Sequence, residues 1–206
     1  MAKKEGIRKL FDNIAPDYDR LNHILSLNID KGWRKKAVRE LADENRPLKV
    51  LDVACGTADF TIEIARTLVN GSQVLGVDIS EGMLAIGREK IRQTGLDAAL
   101  SVADCEALPY EAGTFDRISV GFGVRNFEHL ELGLQEMHRV LVPGGKLVIL
   151  ELSVPKNAFI ILNASSIGLE SSATGTNVWL IVSFCINCGY SGISKTVSCF
   201  SLAKSL

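Results

Sequence analysis

Short apolar runs alternate with helical stripes along most of this chain. Val50, Leu51 and Val53 have the continuous apolarity of a strand covered on both faces, and Phe60, Ile64, Ala65 and Leu68 then recur at helical spacing. Gln73 to Asp78 repeats the strand signal, and Ser80 stands at the cap position of a helix carrying Met83, Ile86, Lys90 and Ile91. Ala99 to Val102 and Thr114 to Val120 read as third and fourth strands. Leu130, Leu134, Met137 and Leu141, spaced four, three and four apart, form one core stripe that Pro143-Gly144-Gly145 ends; Lys146 to Val154 then reads as a fifth strand. The alternation predicts an α/β, Rossmann-like fold with a doubly wound, mostly parallel sheet, whose ligands bind beyond the carboxyl ends of the strands. Upstream, Ile7, Leu10, Phe11 and Ile14 give a short amphipathic helix up to Pro16, Leu21 to Leu27 a second before Asp30, and Trp33, Ala37, Val38 and Leu41 a third.

The turn after the first strand carries the chemistry. In Val50-Leu51-Asp52-Val53-Ala54-Cys55-Gly56-Thr57-Ala58-Asp59, small residues leave room for a ligand to approach the backbone where helical N–H groups face outward. Ala54, Gly56 and Asp59 fill the three positions that a dinucleotide fingerprint gives to glycine. Asp59 would repel a pyrophosphate, and Asp52 adds a second carboxylate that suits a cation. S-adenosylmethionine, which has no phosphate and carries a sulfonium and an ammonium, fits this charge pattern. Asp78 ends the second strand about 20 residues beyond the turn, the register from which a carboxylate accepts ribose hydroxyls. Asp104, in the loop after the third strand, is placed to accept from the adenine amino group. Small-residue turns also serve packing alone, and that alternative stays open for the turn taken by itself.

Composition narrows the setting. The chain has 206 residues, 47% of them hydrophobic, enough for one sizeable α/β core. A net charge of −1 and a pI near 6.3 give no electrostatic case for nucleic acid. Met1 to Glu5 lacks an apolar leader and no run of 18 apolar residues occurs, so a cytoplasmic protein is expected. Lys31, Arg34, Lys35, Lys36 and Arg39 form a basic cluster that is either a solvated helix face or a peripheral contact with anionic lipid at the inner face of the membrane. His23, His129 and His138 show no ligand spacing, and Cys185-Ile186-Asn187-Cys188 with Cys199 falls short of two zinc pairs, so no metal is expected. Beyond residue 156 the composition changes abruptly, with Glu170, Lys195 and Lys204 the only charged side chains. Residues 1–156 therefore read as one domain with a helical cover over about 1–46, and 157–206 as an atypical tail of the kind left by a frame change near Lys156 or a fused end. Within it, Val178 to Val182 reads as a strand that takes the sheet edge or else stays exposed.

Five segments also carry a family likeness. Leu51 to Asp59, Asp78-Ile79-Ser80-Glu81-Gly82-Met83-Leu84, Ala103 to Pro109, Gly121-Phe122-Gly123-Val124-Arg125-Asn126 and Arg139 to Gly145 resemble the class I methyltransferases of menaquinone and ubiquinone biosynthesis. Phe11 to Asp19, with Asn22 and Trp33, adds to a resemblance that covers about residues 5–156. It implies the class I methyltransferase fold, S-adenosylmethionine as methyl donor, and methylation of a ring carbon of a prenylated quinol, demethylmenaquinol first. Mapped on this chain, Asp52, Gly56, Thr57, Asp78, Asp104 and Cys105 are the expected cofactor contacts. Arg125 is expected to stabilise a phenolate or to orient a water that takes the proton, and Tyr18 to position the ring. Relatives continue into an antiparallel hairpin at the sheet edge, a continuation not recognisable here. A methyltransferase for another small molecule and a catalytically silent adenosylmethionine-binding module are the alternatives.

Overall fold

The computed structural model describes residues 2–25, 29–151 and 177–182. Helices α1 (Ala2–Leu25) and α2 (Ile29–Leu41) precede an alternation of β1 (Lys49–Val53), α3 (Asp59–Thr67), β2 (Gln73–Asp78), α4 (Glu81–Thr94), β3 (Ala98–Val102), β4 (Phe115–Gly121), α5 (Leu130–Val140), β5 (Leu141–Glu151) and β6 (Asn177–Val182). The sheet order is β3-β2-β1-β4-β5-β6 and every pairing is parallel. Strand order reverses on either side of β1, so the loops after β1 and β4 diverge to opposite faces and open a crevice between them.

Alternation along each strand builds two cores. Leu51, Val53, Ile118, Val120, Leu147 and Ile149 point to one face, where Leu134, Met137 and Val140 of α5 cover them. Val50, Val74 and Val148 point to the other, under Ala37, Val38 and Leu41 of α2 and Phe60 and Ile64 of α3. The two buried cations at the amino end of the sheet are paired: Arg117 reaches Asp43 at 3.0 Å and also Glu44, and Lys146 reaches Asp43 at 2.6 Å and the Glu40 carbonyl at 2.9 Å. These bonds lock the end of α2 beneath β4 and β5.

Three expectations change. The break at Pro16 does not occur: α1 runs through it, so the first two expected helices are one. Proline withdraws one helical N–H and bends a helix more readily than it ends one when flanking turns are anchored, as they are here on α4. Leu10, assigned to the apolar face, is 55% exposed, because the stripe that faces inward is Lys4, Ile7, Phe11, Ala15 and Tyr18. The fifth strand begins at Leu141, directly after α5, and pairs irregularly with β4 until Lys146 takes up the regular register. Of the two alternatives left open for the strand read at 178–182, the sheet edge is the one observed: it is β6, parallel to β5. The domain boundary at 156, Leu27, and the cysteines at 185, 188 and 199 lie outside the described residues.

Candidate active site

The turn after β1 is built from peptide groups. Ala54, Gly56 and Ala58 all lie in the left-handed region, with φ of 54°, 54° and 65°. Glycine is at home there, and two alanines held in it mark a turn imposed by its surroundings. Cys55 N–H donates to the Val77 carbonyl at 3.0 Å, which fixes the turn beside the end of β2. Asp78, the last residue of β2, accepts from Gly56 N–H at 2.8 Å through one carboxylate oxygen and from Ser80 N–H at 2.9 Å through the other. Burial pushes its carboxyl above the usual carboxylate range even though those N–H groups favour the charge. A desolvated carboxylate fixed at both oxygens, with the cleft before it, is a ready acceptor for vicinal hydroxyls.

The next strand end holds a second carboxylate pair. Asp104 accepts from Glu106 N–H at 2.9 Å and from Lys4 Nζ at 2.6 Å, and Glu106 accepts from the same ammonium at 2.8 Å and from His129 N–H at 2.8 Å. Burial works against the Lys4 charge, but the two carboxylates outweigh it and raise its pKa. Burial likewise works against ionised Glu106, and Lys4 with the His129 N–H still holds it below the ordinary value. Cys105 lies between the two acids; burial, then their charges, push its thiol up to about 12, so it is a neutral wall and no nucleophile.

Helix α1 roofs this crevice. Lys4, Ile7, Phe11 and Tyr18 of its inward stripe face Ala54, Gly56, Asp78, Met83, Asp104 and Cys105 below, and Phe122, Asn126 and Phe127 beyond β4. The space in the cleft and out through its open mouth amounts to about 710 Å³. Polar clamps hold the roof. Asp12 accepts from Ser80 Oγ at 2.6 Å and Gly82 N–H at 3.1 Å, adding an acid from α1 to the amino end of α4. Asp19 accepts from Thr57 Oγ1 at 2.5 Å and from Lys90 Nζ at 2.8 Å, and the same ammonium bonds Asp59.

Five of the eight expected site residues meet in the cleft: Tyr18, Gly56, Asp78, Asp104 and Cys105. Three lie outside its lining. Asp52 is fully buried within β1, where Thr61 Oγ1 donates to it at 2.6 Å and Ser119 Oγ at 2.7 Å. Its pKa is pushed up to about 6, first by desolvation and then by the Asp78 charge, against the pull of those hydroxyls. Thr57 is turned onto Asp19, where it joins the clamp. Arg125 sits on the short turn Val124–Asn126 with its guanidinium on Glu151 at 2.7 Å, at the end of β5. Lys4, Asp12, Asp19, Lys90 and Phe122 complete the site without having been given a role in it by the sequence. The spacing of 4, 7, 11, 15 and 18 was the readable signal for the roof; nothing in the sequence links Asp12 to Ser80 or Lys4 to Asp104.

Residues 1–165 match the ubiE/COQ5 methyltransferase family. The chain belongs to that family. Among its members, a demethylmenaquinone methyltransferase of Bacteroides fragilis is 52% identical over 155 residues, 74% of this chain and 62% of that protein. A demethylmenaquinone methyltransferase of Porphyromonas gingivalis is 46% identical over 155 residues, 74% of this chain and 63% of its own length. A ubiquinone/menaquinone biosynthesis C-methyltransferase of Geobacter sulfurreducens is 45% identical over 157 residues, 75% of this chain and 61% of its own. The ubiE/COQ5 chain described here thus spans rather under two thirds of these relatives. Its fold is that of a putative S-adenosylmethionine-dependent methyltransferase from Methanococcus maripaludis, with a TM-score of 0.55, 20% identity, and coverage of 71% of this chain and 62% of that one. The [4+2]-cyclase SpnF shares it at a TM-score of 0.56 and 23% identity, over 69% of this chain and 57% of the other. One architecture therefore accommodates different reactions, and the site residues must decide. Among the described residues no helix is long and apolar enough to cross a membrane, and no three His, Cys, Asp or Glu side chains gather as a metal site.

Proposed function

We propose that this chain is an S-adenosylmethionine-dependent C-methyltransferase that converts demethylmenaquinol to menaquinol. The observation that carries the reading is Asp78, desolvated, fixed by Gly56 and Ser80 N–H groups and open to a cleft with an aromatic far end. Asp78 takes the ribose hydroxyls and Asp104 the adenine amino group; Gly56 leaves the backbone clear, and Cys105 closes the wall. Donor binding supplies an activated methyl group on a sulfonium. The chain's part is to align a ring carbon in line with it and exclude water. Formation of the carbon–carbon bond is balanced by cleavage of the carbon–sulfur bond, whose electron pair stays on sulfur, and the proton on the methylated ring carbon then passes to solvent at the open mouth of the cleft as the ring regains aromaticity. A quinol carbon is nucleophilic when the adjacent hydroxyl is ionised or shares its proton. Tyr18, on the roof, orients the ring. Arg125 stabilises the phenolate on exchanging Glu151 for the substrate oxygen, an exchange its half-exposed position permits.

The basic residues of α2 bear on where the quinol is met. Lys31, Lys35, Lys36 and Arg39 are exposed on the helix, and Arg34 is turned inward to Asp59 at 3.4 Å. The four exposed cations suit a transient contact with the anionic surface that holds a prenylated substrate.

Transfer of labelled methyl from S-adenosylmethionine to reduced demethylmenaquinone tests the reading, with calorimetry of donor binding beside it. Binding with transfer is expected, and Arg125→Ala lowers turnover with donor affinity unchanged. The Arg125–Glu151 pair favours one second reading, a binding module without transfer: binding with no product on any quinol selects it.

A further inference from the structure

We propose that Phe122 is the acceptor-selecting residue of this cleft, a ring held on a strained backbone to stack on the aromatic nucleus to be methylated; the proposal rests on the methyltransferase reading above.

Phe122 stands between two glycines, and their roles are the reverse of what conformation alone dictates. Phe122 has φ of 59°, a left-handed backbone that glycine adopts freely and a bulky side chain does not. Its neighbours are glycine for want of space. A Cβ at Gly121 would lie 2.9 Å from the Phe60 ring, and one at Gly123 would lie 2.6 Å from the Ala54 Cβ. The position that would gain most from glycine thus carries a phenyl ring. Strain of this kind persists where the surroundings impose it and clusters at ligand sites. The backbone is imposed: Phe122 N–H donates to the Leu150 carbonyl at 2.7 Å, and Gly123 abuts Ala54 across the crevice. The ring is backed by Trp33 of α2, with centroids 6.3 Å apart and planes at 55°. Phe122 also lines the cleft, which Phe11 and Tyr18, themselves an edge-to-face pair at 5.9 Å, enter from the roof.

Strand order places this ring at the reacting end. Adenine on Asp104 after β3 and ribose on Asp78 after β2 leave the sulfonium to extend across β1 towards β4, because the strands follow in the order β3-β2-β1-β4. Phe122 is the first residue beyond β4. An aromatic acceptor laid on its face meets the methyl group, and an aliphatic one forfeits the stacking.

Phe122→Leu keeps a side chain on the strained backbone but removes the aromatic face, and Phe122→Tyr keeps the face. With reduced demethylmenaquinone as acceptor, the leucine variant is expected to raise KM about three- to tenfold, the worth of one aromatic stacking contact, with a smaller change in kcat. Its calorimetric affinity for S-adenosylmethionine stays within about twofold, and tyrosine restores the wild-type KM, which a merely structural role would not produce. Unchanged KM in the leucine variant, or donor affinity falling in step with it, overturns the proposal. Wild-type protein that methylates no quinol overturns the functional reading instead. Ring stacking is then read directly from quenching of tryptophan fluorescence by 1,4-naphthoquinone, with Trp33→Phe as the control that assigns the signal. Quenching weakened by Phe122→Leu sustains the stacking role, and quenching equal to wild type ends it.

Discussion

The floor and the roof of the cleft are made in opposite ways. The floor, from β1 through Ser80, binds itself through main-chain groups close in sequence: Gly56 N–H and Ser80 N–H are 22 and 2 residues from Asp78. The roof is held by side chains that meet across long separations: 68 residues for Asp12 and Ser80, 71 for Asp19 and Lys90, 100 for Lys4 and Asp104. A floor of this kind folds with the sheet and stays; a roof of this kind can part from it bond by bond. The difference suits a site that grips a donor and admits a second, bulkier molecule.

Four changes break or sharpen the contrast, and the largest effect belongs to the floor. Asp52 has its folded pKa raised from 3.8 to about 6, so folding favours its protonated form. Its contribution is complete below about pH 4 and lost as pH rises through about 6, a total of about 3 kcal/mol at 1.36 kcal/mol per unit. Denaturant unfolding of Asp52→Asn is expected to lack that loss between about pH 4 and 7, and parallel curves for the two proteins would place the group outside the core. Asp78→Ala comes next: removing a charge-assisted acceptor weakens donor binding by about 1–3 kcal/mol in calorimetry, and unchanged affinity would refute the ribose role. Asp12→Ala removes an acceptor at the head of α4 and costs about 1 kcal/mol of stability, with hydrogen exchange quickening in α1 before the sheet responds. Lys4→Met is the mildest, about 0.2–1 kcal/mol for an ion pair near the surface. Its mark is faster proteolysis in the first turns of α1 at an unaltered denaturation midpoint; a shifted midpoint would make the roof part of the cooperative unit.

Much of the floor was legible and little of the roof. Gln73–Asp78 is a strand with the limits its apolar run gave it, and Ser80 caps α4 by accepting from Met83 N–H at 3.1 Å, because both signals are local. The carboxylates at the ends of β2 and β3 could be placed from spacing, since strand and turn lengths bring them to one rim. Asp52 was legible as an acid at a strand and illegible as a buried one: its partners Thr61 and Ser119 come from α3 and β4, and only the packed sheet assembles them. Arg125 is the mirror case, a motif arginine whose resting partner Glu151 lies 26 residues on. Leu10 was misassigned because continuing the helix through Pro16 selects a different stripe as the inward one, the one that ends at Tyr18.

The cradle of amides around Asp78 has a consequence for how such a protein tolerates change. Peptide groups cannot be deleted by exchanging one side chain for another, so a scan of single substitutions through Cys55, Thr57 and Ile79 would pass over the very atoms that grip the carboxylate. Vulnerability lies in chain geometry instead: one inserted residue between Val53 and Asp59, or a β-branched side chain forced onto Gly56 at φ of 54°, would swing those donors away while leaving every acid in place. Drift in side chains around this loop is therefore survivable, and drift in its length is not.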